Sequence, residues 1–340
     1  MQRMKGTVEI HEIHAPSLEG NPLGDSATRR TPVYLPPGYA GAGSTERYPV
    51  IYFLQGFTGG GMAWVNFPGF GQTVPERLDA MVVEGKVPPF IGVFVDGWTA
   101  IGGSQWVNSE AIGNYRDYVA RDVVAWTDAN LRTVGTREAR AVVGHSSGGF
   151  GALVMGRHHA DVFAHVGSQS GDAYFEYCYL RDLPGAAGAL LKSGGIREWF
   201  EDFWRRAKET KARGDDHGVL NALAMAAAYS PKRGEPMNIE LPFDPQTARL
   251  RDDVWARWLE HDPVRFIPKS AEAFRSLKTV FVDCGSRDEF NLRWGARMVA
   301  EELRRLGVDV LHEEFEDGHM GINYRYARSV EVIAPRLARQ

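Results

Sequence analysis

Gly144-His145-Ser146-Ser147-Gly148 sets a serine between two glycines in a G-x-S-x-G pattern. A serine hydroxyl is a weak nucleophile at its own pKa, so it needs a base to take its proton and an acid to orient that base. The run at 139–143 is rich in alanine and valine and reads as a buried strand, while the apolar stretch at 152–155 reads as a helix. A strand that breaks into a helix at such a serine leaves the hydroxyl exposed above a sheet and turns the next N–H, that of Ser147, toward a reacting carbonyl. The five-residue motif alone also occurs in ordinary Gly/Ser turns. Its place between a strand and a helix is what favours the chemical reading.

The chain has ten histidines from which to draw a base. On a sheet with an elbow of this kind the acid and then the base follow the serine on loops after late strands. His319 fits, because Glu316-Asp317-Gly318-His319-Met320-Gly321 follows the last predicted strand and its glycines allow a tight loop over the serine. His145 is expected to point away from the neighbouring hydroxyl. His158 and His159 close a helix, where a cation suits the dipole. His11, His14, His165, His217, His261 and His312 lack a late-loop position and are taken as surface or core residues. For the acid, Val282-Asp283-Cys284-Gly285-Ser286-Arg287-Asp288-Glu289-Phe290 offers three carboxylates. Asp288 lies past Gly285, out on the loop; Asp283, at the strand end, is suited to bracing it. Glu289 is the reserve, and Asp317 is too near His319 in sequence to orient its ring. The bland alternatives are a surface-loop histidine and a solvated loop acid.

Attack on an ester creates an oxyanion that needs preorganised donors in a water-poor site. Ser147 N–H is one. The other is expected from Gln55-Gly56-Phe57-Thr58-Gly59-Gly60-Gly61, with Phe57 as donor and Gln55 and Gly56 against the substrate. This glycine cluster lacks the G-K-[ST] ending of a P-loop and the spacing of a dinucleotide fingerprint, so no nucleotide is expected. Trp64, Trp98, Trp106, Tyr174, Phe175 and Tyr177 flank predicted strand ends; Trp98 is taken into the candidate substrate-binding set, although packing explains such aromatics as well.

The elements that must hold these residues alternate between strands and helices, the pattern of a mostly parallel sheet covered on both faces. Strands are predicted at 8–14, 30–35, 50–54, 90–95, 139–143, 164–167, 279–282 and 308–315, and helices at 115–131, 150–159 and 292–306. Between 171 and 277 no convincing strand occurs, but helical patterns run over 196–211, 219–229 and 252–260. So long an excursion is read as a mainly helical cap, with 1–170 and 278–340 as the α/β core. A peripheral embellishment that never meets substrate is the alternative.

With 340 residues, 44% hydrophobic, the chain is long enough for one large α/β domain. A formal net charge of -4 without long single-sign blocks gives no footprint for nucleic acid or an anionic membrane. A small-molecule ester is the expected partner, and a homo-oligomeric state stays open. Cys178 and Cys284 are too few for a disulfide framework and lack zinc spacing, so neither a metal nor a disulfide is expected. The polar N-terminal residues and the lack of any long apolar stretch lead to an expected cytoplasmic location without a membrane span.

The chain resembles the esterase D-like branch of the α/β-hydrolases, which includes S-formylglutathione hydrolases, feruloyl and acetylxylan esterases and the antigen 85 mycolyltransferases. The resemblance is carried by Val33-Tyr34-Leu35-Pro36-Pro37-Gly38-Tyr39, Leu54-Gln55-Gly56, Asn108-Ser109 with Gly113-Asn114-Tyr115-Arg116-Asp117-Tyr118-Val119, the serine motif, Asp283-Cys284-Gly285 with Asp288, and Gly318-His319. It covers most of the chain outside the cap. It implies a Ser146, Asp288, His319 triad, no metal or organic cofactor, and hydrolysis of carboxylic esters. Gln55 departs from the pattern, standing where many relatives have histidine, and the cap looks longer and more helical than in compact members. An acyltransferase using the same acyl-enzyme and a non-catalytic hydrolase-fold binding protein are the alternatives.

Overall fold

The computed structural model of the chain describes residues 4–41, 43–209 and 213–339. Among the described residues ten strands form: β1 (Thr7–His14), β2 (Thr28–Leu35), β3 (Val50–Leu54), β4 (Ile91–Val95), the short pair β5 (Asn108–Ser109) and β6 (Gly113–Asn114), β7 (Arg140–His145), β8 (His165–Gln169), β9 (Thr279–Gly285) and β10 (Val310–Phe315). Eight of them make one sheet in the order β1-β2-β4-β3-β7-β8-β9-β10. β1 and β2 pair antiparallel, β2 meets β4 antiparallel, and every pairing from β4 to β10 is parallel. Strands with helices on both faces bury both sides of each pleat, so β3 and β4 are continuous apolar runs rather than alternating ones.

The pleat divides the core. Ile51 and Phe53 face helices Val74–Val83 and Arg325–Ile333, with Leu78, Val330 and Ile333 packed on them. Val50, Tyr52 and Leu54 face the opposite layer, which includes the helical stretch over 115–130 and helices Ser147–His158 and Leu292–Arg305. Alternation along one strand thus assigns each residue to a layer. The helical run predicted at 115–131 contains a π-helical stretch at Tyr118–Val123.

Register fixes where loops can meet. Leu54 lies opposite Gly144, His145 opposite Gln169, Gln169 opposite Asp283, and Gly285 opposite Phe315. The carboxyl ends of β3, β7, β8, β9 and β10 therefore lie along one rim, the place where open parallel sheets bind ligands.

Between β8 and β9 run helices Phe175–Cys178, Leu183–Ser193, Ile196–Glu209, Asp216–Tyr229, Asp252–Leu259, Pro263–Lys269 and Ala271–Ser276. The end of the helix predicted over 196–211 lies outside the described residues. Pro263–Lys269 packs on Leu292–Arg305 and Ser147–His158, within the main body. Among the described residues no helix is long and apolar enough to cross a membrane, no group of side chains is arranged to hold a metal, and both cysteines are free and buried.

Candidate active site

At the end of β7 the chain turns at Ser146 with φ 57° and ψ -125°, a conformation an L-residue adopts only under strain. Two backbone bonds pin the turn: Ser146 N–H donates to the Gln169 carbonyl at 2.9 Å, and Phe150 N–H donates to the Ser146 carbonyl at 2.9 Å. The motif glycines are required by close approach, since a Cβ on Gly148 would run into the Leu54 carbonyl and one on Gly144 into the Gly148 backbone. Gly56 is close but less constrained: a Cβ there would stand 3.1 Å from that of Ser146.

The structure brings Ser146, His319 and Asp288 together. His319 Nε2 lies 3.0 Å from Ser146 Oγ, and His319 Nδ1 lies 2.7 Å from Asp288 Oδ2. His319 is 4% exposed, so the contact is shielded from bulk water. Asp288 Oδ1 accepts from the N–H groups of Phe290 at 2.9 Å and Leu292 at 3.2 Å, which fixes the carboxylate plane. Burial alone pushes that carboxyl up, but the hydrogen bond and charge interaction with His319 and the two N–H donors hold it below the usual carboxylate range. An ionised acid on Nδ1 keeps the proton there and leaves Nε2 free to accept one from the serine.

The other candidate carboxylates have separate duties. Glu289 Oε2 accepts the His319 backbone N–H at 2.6 Å and so braces the His319 loop. Asp283 Oδ2 pairs with Arg325 Nε at 2.8 Å and Nη2 at 2.7 Å. Asp317 accepts from Gly318 N–H at 2.9 Å and from the Tyr324 hydroxyl at 3.1 Å. His145 does more than the sequence indicated: its ring lies on that of His319, centroids 4.6 Å apart at 37°. Burial, and then the neighbouring His319, push its pKa down to about 3, so it presents a neutral face to the His319 ring.

Ser147 opens helix Ser147–His158, where the first N–H groups have no partner within the helix. The Gly56–Phe57 peptide lies beside Ser146, and the loop is pinned by Thr58 N–H on the Gly102 carbonyl at 2.7 Å. Neither Ser147 N–H nor Phe57 N–H donates to a protein acceptor among the described residues. Both remain available to an oxygen bound above the serine.

A cavity of about 450 Å³ opens over Ser146 and is lined by Gln55, Gly56, Phe57, Ser147 and His319 among others. Trp98, expected at the substrate, is not part of it; its side chain is 44% exposed and its carbonyl accepts from Arg29 at 2.9 Å. Of the other aromatics singled out in the sequence, Trp64 lines the cavity, whereas Trp106, Tyr174, Phe175 and Tyr177 do not. Trp106 instead covers Gly151 and donates to the Gln55 carbonyl at 3.2 Å.

The Putative esterase family model matches residues 26–305. The chain belongs to that family. It is 32% identical over 183 residues to Esterase Rv1288 of Mycobacterium tuberculosis (strain ATCC 25618 / H37Rv), a match covering 52% of this chain and 37% of that protein. The chain thus corresponds to little more than a third of the length of that relative. Among solved structures it is similar to a ferulic acid esterase, with a TM-score of 0.63 and 18% identity over 99% of this chain and 100% of the other. It is also similar to an S-formylglutathione hydrolase from Agrobacterium tumefaciens, with a TM-score of 0.57 and 14% identity over 99% of this chain and 98% of the other. The fold is the α/β-hydrolase fold.

Several residues of the cavity carried no sequence signal. Asp172, Tyr179, His217 and Asn221 all line it, and all four lie in the 171–277 excursion after β8. His217, read from sequence as an ordinary surface or core histidine, lies with its ring 5.8 Å from Phe57 and 6.2 Å from Phe290. Phe290 in turn stands edge-on to His319 at 4.7 Å. An acid after a strand and a histidine at a helix start are common, so only the tertiary fold distinguishes them.

Proposed function

We propose that this esterase hydrolyses esters of small carboxylic acids through an acyl-serine intermediate on Ser146, with His319 as general base and acid and Asp288 as the orienting carboxylate. The supporting observation is the continuous relay from Asp288 to His319 to Ser146, at 2.7 Å and 3.0 Å, ending on a strained elbow. In the first half-reaction Ser146 Oγ attacks the acyl carbon while its proton passes to His319 Nε2. The carbonyl oxygen takes up the negative charge facing the N–H groups of Ser147 and Phe57. Collapse breaks the bond to the alcohol oxygen, which leaves with the proton from His319. Water then gives a proton to His319, attacks the acyl-serine and releases the acid, and Ser146 recovers its hydrogen.

A cavity of about 450 Å³ lined by Phe57, Trp64, Tyr179 and Phe290 suits an acyl group no larger than a substituted aromatic ring. The excursion over 171–277 is read as a cap, because it supplies Cys178, Tyr179, His217 and Asn221 to the same cavity. A cytoplasmic setting belongs to the same reading: Cys178 and Cys284 are both unpaired, as suits a reducing compartment.

A fluorophosphonate probe tests the nucleophile. The native chain should be labelled at Ser146 and Ser146→Ala should not, with turnover of p-nitrophenyl, feruloyl or thioester substrates lost in parallel. Labelling that survives in Ser146→Ala overturns the assignment.

A further inference from the structure

Asp172 stands just past β8, is 6% exposed, and lines the cavity over Ser146 without any part in the relay. Its Oδ2 accepts from three neutral donors: the Tyr179 hydroxyl at 2.7 Å, Gln105 Nε2 at 3.0 Å and Ser147 Oγ at 3.3 Å. Among the described residues no lysine or arginine forms an ion pair with it, and its Oδ1 receives no hydrogen bond from the protein. Asp79, also buried without an ion pair, lies away from the cavity and accepts two backbone N–H groups and the Tyr34 hydroxyl, but several other deeply buried carboxylates are paired. Asp283 pairs with Arg325, Asp216 with Arg206, and Glu240 with Lys232, Arg251 and Arg257. A buried carboxyl with hydrogen bonds and no counter-charge is costly, and removing a partner from such a group is costlier still.

The location sharpens the point. Asp172 is one hydrogen bond from Ser147, whose N–H faces the position of the oxyanion in the mechanism above. A bare negative charge there works against the charge that develops during attack, unless a cation compensates it. Burial raises the Asp172 pKa, as expected of a carboxyl that lacks such a cation in the free protein. The aromatic walls supplied by Tyr179, Phe57 and Phe290 tolerate an organic cation better than an aliphatic lining does.

We infer that Asp172 is a specificity-determining residue that receives a protonated amine carried on the acyl group, so that the preferred substrates are esters of amino-bearing acids. The inference rests on the esterase reading of Ser146 and deepens it. The ammonium donates to the free Oδ1, completes the ion pair that the protein leaves open, and draws the acyl carbon toward Ser146. An isosteric neutral acyl group leaves the carboxyl uncompensated, and sites built to bond a polar substrate group discriminate strongly against analogues without it.

The experiment compares p-nitrophenyl esters of matched shape, para-aminomethylbenzoyl against para-ethylbenzoyl and para-hydroxymethylbenzoyl, at about pH 7.5 where an alkylamine is protonated. The native enzyme should favour the aminomethyl ester over the ethyl ester in kcat/KM by about tenfold or more, and over the hydroxymethyl ester as well. In Asp172→Asn and Asp172→Leu that ratio should fall to about one. A native ratio near one or below, or a preference for the hydroxymethyl ester, overturns the inference even if neither variant folds. A ratio that persists in a folded Asp172→Leu overturns it too. Hydrolysis of the ethyl ester with no gain from the amine removes only this inference, whereas no turnover of any ester together with no fluorophosphonate labelling removes the esterase reading itself.

Discussion

Asp288 holds its two oxygens apart by function, one on the loop N–H groups of Phe290 and Leu292 and one on His319. Asp288→Asn keeps the shape, and its amide oxygen takes over the two N–H bonds, so its NH2 faces Nδ1 of His319. That forces the proton onto Nε2, the nitrogen that has to accept one from Ser146. Turnover should fall by on the order of a thousandfold or more while the fold persists, as wrong-tautomer changes do. Steady-state kinetics with a p-nitrophenyl ester checks this, and near-normal rates would return the acid role to Glu289 or Asp283. Glu289→Ala removes only the acceptor for the His319 backbone N–H, so the ring is displaced rather than retautomerised, and a loss of about tenfold in kcat with little change in pH profile is expected. The relay residues were legible because Ser146 sits in a motif between strand and helix, and Asp288 and His319 sit on loops after late strands. Asp172 was not, since Gln105 and Tyr229 reach its cluster from distant segments. Trp98 shows the converse: a strand-end tryptophan reads as a pocket wall until the fold turns it outward.

At the scale of elements, the elbow couples activity to strain. A φ of 57° with ψ -125° is open to glycine and unfavourable for any residue with a Cβ, at a cost of about 1–3 kcal/mol. Ser146→Ala removes the hydroxyl and keeps the strain; Ser146→Gly removes both. Both should be inactive, and Ser146→Gly should be the more stable by about 1 kcal/mol after its greater unfolded-state entropy is deducted. Chemical denaturation of the pair measures this, and an alanine variant equal to or above the glycine variant would show that the turn is not strained. The strands were readable because parallel strands covered on both faces are continuous apolar runs. Helix Val74–Val83 was overlooked although its start is explicit in sequence, with Thr73 and Glu76 forming a capping box and Pro75 in the first turn. Helix Leu183–Ser193 gave weaker grounds, having two glycines and a proline among its eleven residues.

For the whole molecule, the sheet has two unlike ends. The carboxyl ends of the central strands carry Ser146 and its neighbours; near the amino ends His165, 1% exposed, ties elements together with no contact to the cavity. Its Nε2 is 3.1 Å from the Glu138 carbonyl and must carry the proton, so Nδ1 accepts from the Thr279 hydroxyl at 2.8 Å. The first link leads to the segment before β7 and the second joins β8 to β9, so a neutral imidazole staples three successive parts of the sheet. Burial pushes its pKa down to about 4, against about 6.5 in an unfolded chain. A depressed folded pKa means that the unfolded state binds the extra proton first. The stability due to this group is therefore complete above about pH 6.5 and is lost as pH falls from there toward about 4, at roughly 1 kcal/mol per pH unit. In His165→Gln an amide replaces the imidazole and nothing titrates. The native chain should be the more stable near neutrality, and its advantage should shrink by on the order of 2–3 kcal/mol by about pH 4.5. Other groups titrate equally in both proteins and cancel in the difference. Ester turnover near neutrality should match in the two, because the staple lies at the far end of the sheet from the nucleophile. Denaturation curves that stay parallel over this interval would mean that His165 is already protonated in the folded state and that its burial does not govern the acid limit of the fold.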